Sequence, residues 1–228
     1  MIVFDNVTLR YHYDEYDLLK GASFTLLDGV NTVVADVQSG KSSICRLLLK
    51  DVVPTSGQIL VDGQEISSIT NANLDILYLP RNPAFFERRS VQYNMEYPLK
   101  IRKVAHSQRK ERVREIAEQF GMKLDVKVRT LNAEQRRMLA LARGLTVKRK
   151  TVLLDDFFDG GTDDFQFVNS ILQHFDRCVM FTSDARIATG HTVVLDGGVA
   201  VFEGNAEQAK QAVSELYWLS HEQNARKE

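Results

Sequence analysis

The chain has 228 residues, 44% of them apolar and 26% charged, and its 29 Lys+Arg against 30 Asp+Glu leave a formal net charge of −1. That length is a prior for one domain, with or without an inserted subdomain, and is enough to bury a core without staples. The charge balance gives no global basic field for collecting nucleic acid or anionic lipid, so no nucleic-acid partner is expected.

The N-terminal stretch Met1–Tyr11 lacks a basic region followed by an apolar run and does not read as a signal peptide. Ile2–Leu9 and Ala22–Leu27 read as strands, the second running to the turn signal Asp28-Gly29. Thr32–Ala35 is a third strand, Ser42–Leu49 a helix, and Pro54 to Gly57 a turn. Gln58–Val61 and Asp75–Leu79 are strand-like. From about Ser107 to Phe120, Val113, Ile116, Ala117 and Phe120 recur at helical spacing, and Ala133–Thr146 carries Met138, Leu141, Ala142 and Leu145 on one stripe. Val152–Leu154, Val179–Thr182, Thr192–Leu195 and Val199–Phe202 are further strands, and Ala206–Leu219 is a closing helix in which Tyr217 and Trp218 read as packing residues. Strands alternating with helices predict an α/β fold with a mainly parallel sheet.

Two cysteines, Cys45 and Cys178, have no metal-ligand or redox spacing and read as small buried hydrophobes. Lys148-Arg149-Lys150 reads as a solvated loop. No run approaches the ~18 apolar residues that span a bilayer. A role in a membrane process would therefore require docking on a separate membrane subunit, which predicts a cytoplasmic protein.

The strand Thr32–Ala35 runs into Ala35-Asp36-Val37-Gln38-Ser39-Gly40-Lys41-Ser42 and then a helix. This is the A-x-x-x-x-G-K-S form of the Walker A loop, with Ala in the first glycine position. Successive amides and a helix N-terminus would cradle phosphate, with Ser39, Gly40 and Ser43 beside the two residues that bear the chemistry. Lys41 would reach the β- and γ-phosphates, and the Ser42 hydroxyl would sit on Mg²⁺. ATP and Mg²⁺ are the cofactors expected.

With that loop in place, the chain resembles the ATP-binding cassette (ABC) family over nearly its whole length. Phe4-Asp5-Asn6-Val7, Tyr11 and Leu18–Phe24 are similar to the family's opening; Thr55–Gly63 is similar to the run after the Walker A helix. Thr130–Arg137 with Leu141-Ala142-Arg143 resembles the signature motif and its helix, Val152–Asp156 Walker B, and Val179–Asp184 the switch strand. Val194–Gly198 and Glu203-Gly204 resemble the C-terminal strands. The resemblance implies a single cassette over 1–228: a P-loop NTPase core, an N-terminal antiparallel β subdomain, and a helical subdomain inserted at about 84–147. It implies Tyr11 stacking on adenine, with a strand-end aromatic packed on the N-terminal sheet as the alternative. It also implies Asp155 ordering Mg²⁺, a second cassette (homo- or heterodimeric) completing each site, and a membrane-spanning permease holding the protein at the inner face of the cell membrane.

The departures from that pattern bear on hydrolysis. The residue after Asp155 is Asp156, not glutamate, shorter by about 1.5 Å and so a weak or non-functional base. Ser183 stands at the switch position in place of histidine and offers no group titrating near neutrality; His174 precedes the strand that Ser183 follows and is no substitute. Arg81 occupies the glutamine position, either as a cation replacing metal sensing or as a solvated loop charge. Asn132 with Gln135 imitates a capping box, and Glu134 puts a carboxylate in the helix's first turn, where the pattern places small residues facing the opposing phosphate. Like charges ~4 Å apart cost about 4 kcal/mol at an effective dielectric of ~20, so Glu134 would oppose clamping of ATP. Phe157-Phe158 and Asp159-Gly160-Gly161 replace the usual residues after Walker B. Phe85 and Phe86 are candidates for a groove that receives a permease helix, or for packing. These features predict an ATP-binding transporter subunit with slow or lost hydrolysis; the alternative is a non-hydrolysing nucleotide sensor or scaffold.

Overall fold

The computed structural model describes residues 1–11, 16–36, 39–158 and 170–225, with the side chains of Ala72 and of residues 216–225 excepted. Val37 and Gln38 of the phosphate loop, Asp159-Gly160-Gly161, and the side chains of Tyr217 and Trp218 lie outside the described residues.

Two sheets organise the chain. The smaller has the order β2-β1-β4-β5, from β1 (Ile2–Leu9), β2 (Leu19–Leu26), β4 (Ser56–Val61) and β5 (Gln64–Glu65), and its pairings are antiparallel. The larger has the order β10-β9-β3-β8-β7-β6, from β3 (Gly29–Ala35), β6 (Ile76–Pro80), β7 (Thr151–Asp155), β8 (Arg177–Thr182), β9 (His191–Asp196) and β10 (Val199–Asn205). β9-β3-β8-β7-β6 pair in parallel, and only β10 runs against its neighbour. The sequence patterns follow from that placement. Every residue of β7 and β8 is buried, as parallel strands covered on both faces require, whereas β1 alternates between core and surface.

Helix α1 (Lys41–Leu48) follows β3, and the single turn α2 (Asn71–Leu74) precedes β6. Asp75, expected to begin a strand, instead closes α2 in the left-handed region at φ 49°, so β6 begins one residue later. Its carboxylate accepts from Arg149 at 2.7 Å and from the Lys150 amide at 3.1 Å, fixing the entry to β7. Of the Lys148-Arg149-Lys150 run, expected to be solvated throughout, Arg149 is therefore committed to an ion pair.

Between β6 and β7 the chain forms α3 (Val91–Ile101), α4 (His106–Gln119) and α5 (Ala133–Thr146). These pack on one another around Val91, Met95, Leu99, Val113, Ala117, Val128, Leu139 and Ala142. α3 is not among the elements predicted from the sequence; Pro98 stands inside it, removing one amide from the ladder but leaving the first turns intact. Its signals were present: Ser90 caps it by accepting from the Tyr93 amide at 3.1 Å, and Val91, Met95 and Leu99 recur every fourth residue on its buried face.

One core cluster fills the space between the small sheet, α1 and one face of β3-β8-β7, and includes Phe4 and Phe24 stacked at 4.3 Å. A second lies on the opposite face of β7 and β8 against α5, with Phe157 and Phe158 in it. Cys45 and Cys178 are both buried and free, as expected.

Gly190 enters β9 at φ 69°, and a Cβ there would sit 2.0 Å from the Val30 carbonyl oxygen. Backbone conflicts of this kind are not relieved by rotating a side chain. Gly190→Ala is expected to lower unfolding stability by about 3 kcal/mol in urea denaturation; an unchanged midpoint would show that the β3–β9 junction yields freely.

Candidate nucleotide site

The parallel strands β3, β8, β7 and β6 end on one edge, where an open α/β sheet presents its loops. Register brings the chain's chemistry-bearing residues there: Val34 pairs with Thr182, Asp155 with Phe181, and Pro80 with Asp155. The phosphate loop, the two aspartates, Ser183 and Arg81 thus leave adjacent strands side by side.

Gly40 opens α1 at φ 96°, and the Ile44 amide donates to the Gly40 carbonyl at 2.9 Å. Before it the Ser39 amide donates to the Asp36 carbonyl at 3.2 Å, and the Ser39 hydroxyl donates to that same oxygen. Gly40 offers no side-chain cap, and no acidic residue lies in the first turn. The first amides of a helix have no intrahelical acceptor, and this end carries the positive end of the helix dipole. Such a terminus suits phosphate.

Lys41 is buried, its side chain 6% exposed, with its ammonium donating to the carbonyls of Ala35 at 2.7 Å and Asp36 at 3.0 Å and lying 3.8 Å from Asp156. The Ser42 hydroxyl donates to one oxygen of the buried Asp155 at 3.3 Å. The other oxygen accepts from the Tyr78 hydroxyl at 2.9 Å. Burial, then the hydrogen bond to Asp155, pushes the Tyr78 phenol well above its ordinary range, so it is protonated and donates. Burial likewise raises the Cys45 thiol, with the charges of Asp155 and Asp156 adding to the effect.

Ser42 and Asp155 are hard oxygen donors of the kind Mg²⁺ takes. Among the described residues no group of three or more His, Cys, Asp or Glu is placed to hold a metal by itself. One carboxylate and one hydroxyl could serve such an ion together with phosphate oxygens.

Tyr11 is held against α1. Its hydroxyl lies 3.0 Å from the Ser43 hydroxyl, accepts from Arg46 at 3.3 Å, and its ring carries the Arg46 guanidinium 5.3 Å from the centroid. The ring is half-buried and also packs on the core under the small sheet. The packing alternative for Tyr11 thus has a physical counterpart in the core under the small sheet, and its phenol is tied to α1. Sequence reasoning missed Tyr78 and Arg46. Tyr78 carries no motif, and only pairing of β6 with β7 places it beside Asp155; Arg46 had a signal in its i+3 spacing from Ser43 on α1.

Asp156 leaves β7 in the left-handed region at φ 46°, 27% exposed. Ser183 is exposed beyond β8, and Arg81 is exposed beyond β6. His174 lies before β8, with its ring 3.3 Å from the Gln119 amide, at the other end of the strands.

Asn132 and Glu134 stand apart, at the start of α5. The Asn132 side chain accepts from the Gln135 amide at 2.8 Å, and the Gln135 side chain accepts from the Asn132 amide at 3.0 Å, completing a capping box. Glu134 is the acidic residue of that first turn and lines a cavity of about 540 Å³ with Asn132, Met138, Phe120 and Met122. The two candidate aromatics divide. Phe85 is half-buried beneath the Arg143 guanidinium, 4.5 Å from its centroid, whereas Phe86 is 41% exposed and meets Tyr93 and Tyr97 edge-on.

A protein-family model described as ABC transporter matches residues 19–159. The molybdate/tungstate import ATP-binding protein WtpC of Pyrococcus horikoshii is 31% identical over 149 residues, 64% of this chain and 43% of the relative. The Fe(3+) ions import ATP-binding protein FbpC of Mannheimia succiniciproducens is 33% identical over 147 residues, 63% of this chain and 40% of the relative. The chain thus spans less than half the length of these curated relatives. CbiO1 of Clostridium perfringens, described as part of the ABC transporter complex cbiONQ, has the same fold, with a TM-score of 0.82 at 18% identity over 92% of this chain and 90% of that one.

The capping box should carry measurable stability. Asn132→Ala is expected to lower unfolding free energy by about 1 kcal/mol by urea denaturation, with Gln135→Ala costing less. No change in either variant would mean the start of α5 is held by other contacts.

Proposed function

This chain belongs to the ABC transporter family, and on that premise we propose that it is the ATP-binding subunit of an ABC-type membrane transporter in which ATP binding is retained and hydrolysis is slow or lost. The observation that carries the reading is the contrast between two helix starts. At α1 no side chain caps the helix and no acidic residue stands in its first turn, with Lys41, Ser42 and Asp155 converging beside it. At α5 the amides of Asn132 and Gln135 are taken up by each other's side chains, and Glu134 meets the dipole.

In this reading Lys41 leaves the carbonyls of Ala35 and Asp36 for the β- and γ-phosphate oxygens, while Ser39, Gly40 and Ser43 supply the loop and helix amides. Ser42 and Asp155 hold Mg²⁺, which when bound neutralises charge on the phosphates. Tyr11 supports the adenine side, tied to α1 through Ser43 and Arg46. Hydrolysis needs a base that reaches the attacking water, and the short Asp156 carboxylate is directed toward the Lys41 ammonium instead. Ser183 supplies a hydroxyl without a charge, and Arg81 supplies a cation where metal sensing is expected. A second cassette, the same chain or a different one, would meet Glu134 where the family presents small residues.

The named relatives are import ATP-binding proteins, which supports an import system over an export system. They serve different cargoes, which supports cargo recognition by another part of the transporter. Among the described residues no helix is long and apolar enough to cross a membrane, so attachment at the cytoplasmic face through a permease is the arrangement proposed. The exposed face of Phe86, Tyr97 and Ile101, beside the β6 edge, is the surface proposed to receive a permease helix. The cassette is read as one domain, with its helical part spanning about 84–147.

Calorimetric titration of the purified chain with Mg-ATP is expected to show binding at or below millimolar concentration, weakened at least tenfold in Lys41→Ala. A calorimetrically silent titration at millimolar ATP would remove the basis of the reading. Steady-state turnover is expected below about 0.1 s⁻¹, two decades under a typical enzyme and in line with a missing general base; ordinary turnover would refute the hydrolytic part alone.

A further inference from the structure

We propose that Tyr78 is a positioning residue for the metal-binding carboxylate: its hydroxyl holds one oxygen of Asp155, so that the other, already shared with Ser42, is the one presented to Mg²⁺. The inference rests on the reading of Ser42 and Asp155 as the metal's protein ligands.

The geometry is set by strand pairing. Tyr78 pairs with Leu153 and Pro80 with Asp155, so Tyr78 sits two pairs behind Asp155 on the neighbouring strand. Side chains alternate along a strand, which puts Tyr78 and Asp155 on the same face of the sheet. Both pack toward α1: Tyr78 lies against the core cluster that contains Ile44, Leu47 and Leu153, and Asp155 accepts from Ser42 on the first turn of α1. From there the phenol reaches forward to the far oxygen of Asp155 at 2.9 Å, while Ser42 takes the near one at 3.3 Å.

The torsion that turns an aspartate's carboxylate is broad and roughly two-fold, so the strand alone does not decide which oxygen faces the loop. A carboxylate held only by Ser42 could rotate, or offer both oxygens at once. Donation from Tyr78 occupies one oxygen and closes the second option. The result is a single oxygen aimed at the position between Ser42 and the phosphate loop. Mg²⁺ demands near-ideal octahedral geometry and is poorly served by a carboxylate that wanders, whereas a larger and more permissive cation such as Ca²⁺ tolerates it. Partners that orient a metal ligand from behind are worth roughly 10–100-fold in metal affinity.

The test measures ATP affinity of the purified full chain by calorimetry in EDTA, in Mg²⁺ and in Ca²⁺, for the wild type, Tyr78→Phe and Asp155→Asn. Tyr78→Phe should bind ATP in EDTA within twofold of the wild type. Its Mg²⁺-dependent gain in affinity should fall about tenfold, and its Ca²⁺-dependent gain should fall less. If Tyr78→Phe does not fold, Tyr78→Met fills comparable volume without a donor and carries the same expectations. A gain from Mg²⁺ equal to the wild type's, or an equal loss of affinity with and without metal, overturns the inference; the second result would mark Tyr78 as packing only. Asp155→Asn separates the two levels. If it keeps the full Mg²⁺-dependent gain, the metal reading itself falls; if it abolishes that gain while Tyr78→Phe leaves it intact, only the role of Tyr78 falls.

Discussion

Parallel pairing of β3, β8, β7 and β6 is the constraint from which the site follows. Strands that run the same way end on the same edge, so residues scattered from position 36 to position 183 leave the sheet together without any of them needing to interact in order to be assembled. Burial enforces the arrangement. β7 and β8 are covered on both faces, and a slip of one residue would exchange the side chains packed against the two layers and withdraw Asp155 from Ser42. The energy that holds the chemistry in place is therefore mostly hydrophobic and lies behind the site, in Leu153, Val179 and Phe181, rather than in the polar contacts within it.

Those polar contacts carry a different burden. Lys41 and Asp155 are nearly excluded from water, and charges so placed are tolerated only when hydrogen-bonded. Each has its partners: two carbonyls for Lys41, two hydroxyls for Asp155. Contacts of this kind preorganise the site. They also have to be exchanged if a triphosphate draws the ammonium forward, which sets the affinity for nucleotide as a difference between two well-satisfied arrangements. α5 shows the opposite use of the same backbone chemistry. A helix start can be left without a side-chain cap or closed by its own side chains, and this chain does the first at Gly40 and the second at Asn132.

Much of this was legible in the residues. The strand-loop-helix around Gly40-Lys41-Ser42 announced a phosphate loop because close backbone approach, a cation and a hydroxyl must fall at fixed short spacings. Asn132 and Gln135 announced a capping box because both bonds are local, three residues apart. Strands alternating with helices announced a mainly parallel sheet. Local physics is readable locally, and the α/β class, the helix Ala133–Thr146 and the burial of both cysteines all rest on it.

What the sequence by itself determined was thus every feature whose cause lies within a turn or two of chain: the loop, the caps, and the periodicities that sort strand from helix. Tertiary structure alone decided the rest. The Tyr78 hydroxyl meets Asp155 across 77 positions because two strands pair in one register. Tyr11 is bound to Ser43 and Arg46 because the small sheet closes over α1, and Phe85 and Phe86, adjacent and alike, part between core and surface. The physical reason is that a side chain's partners across a sheet depend on pairing and register, which are set by burial summed over many residues, and no single residue carries that sum.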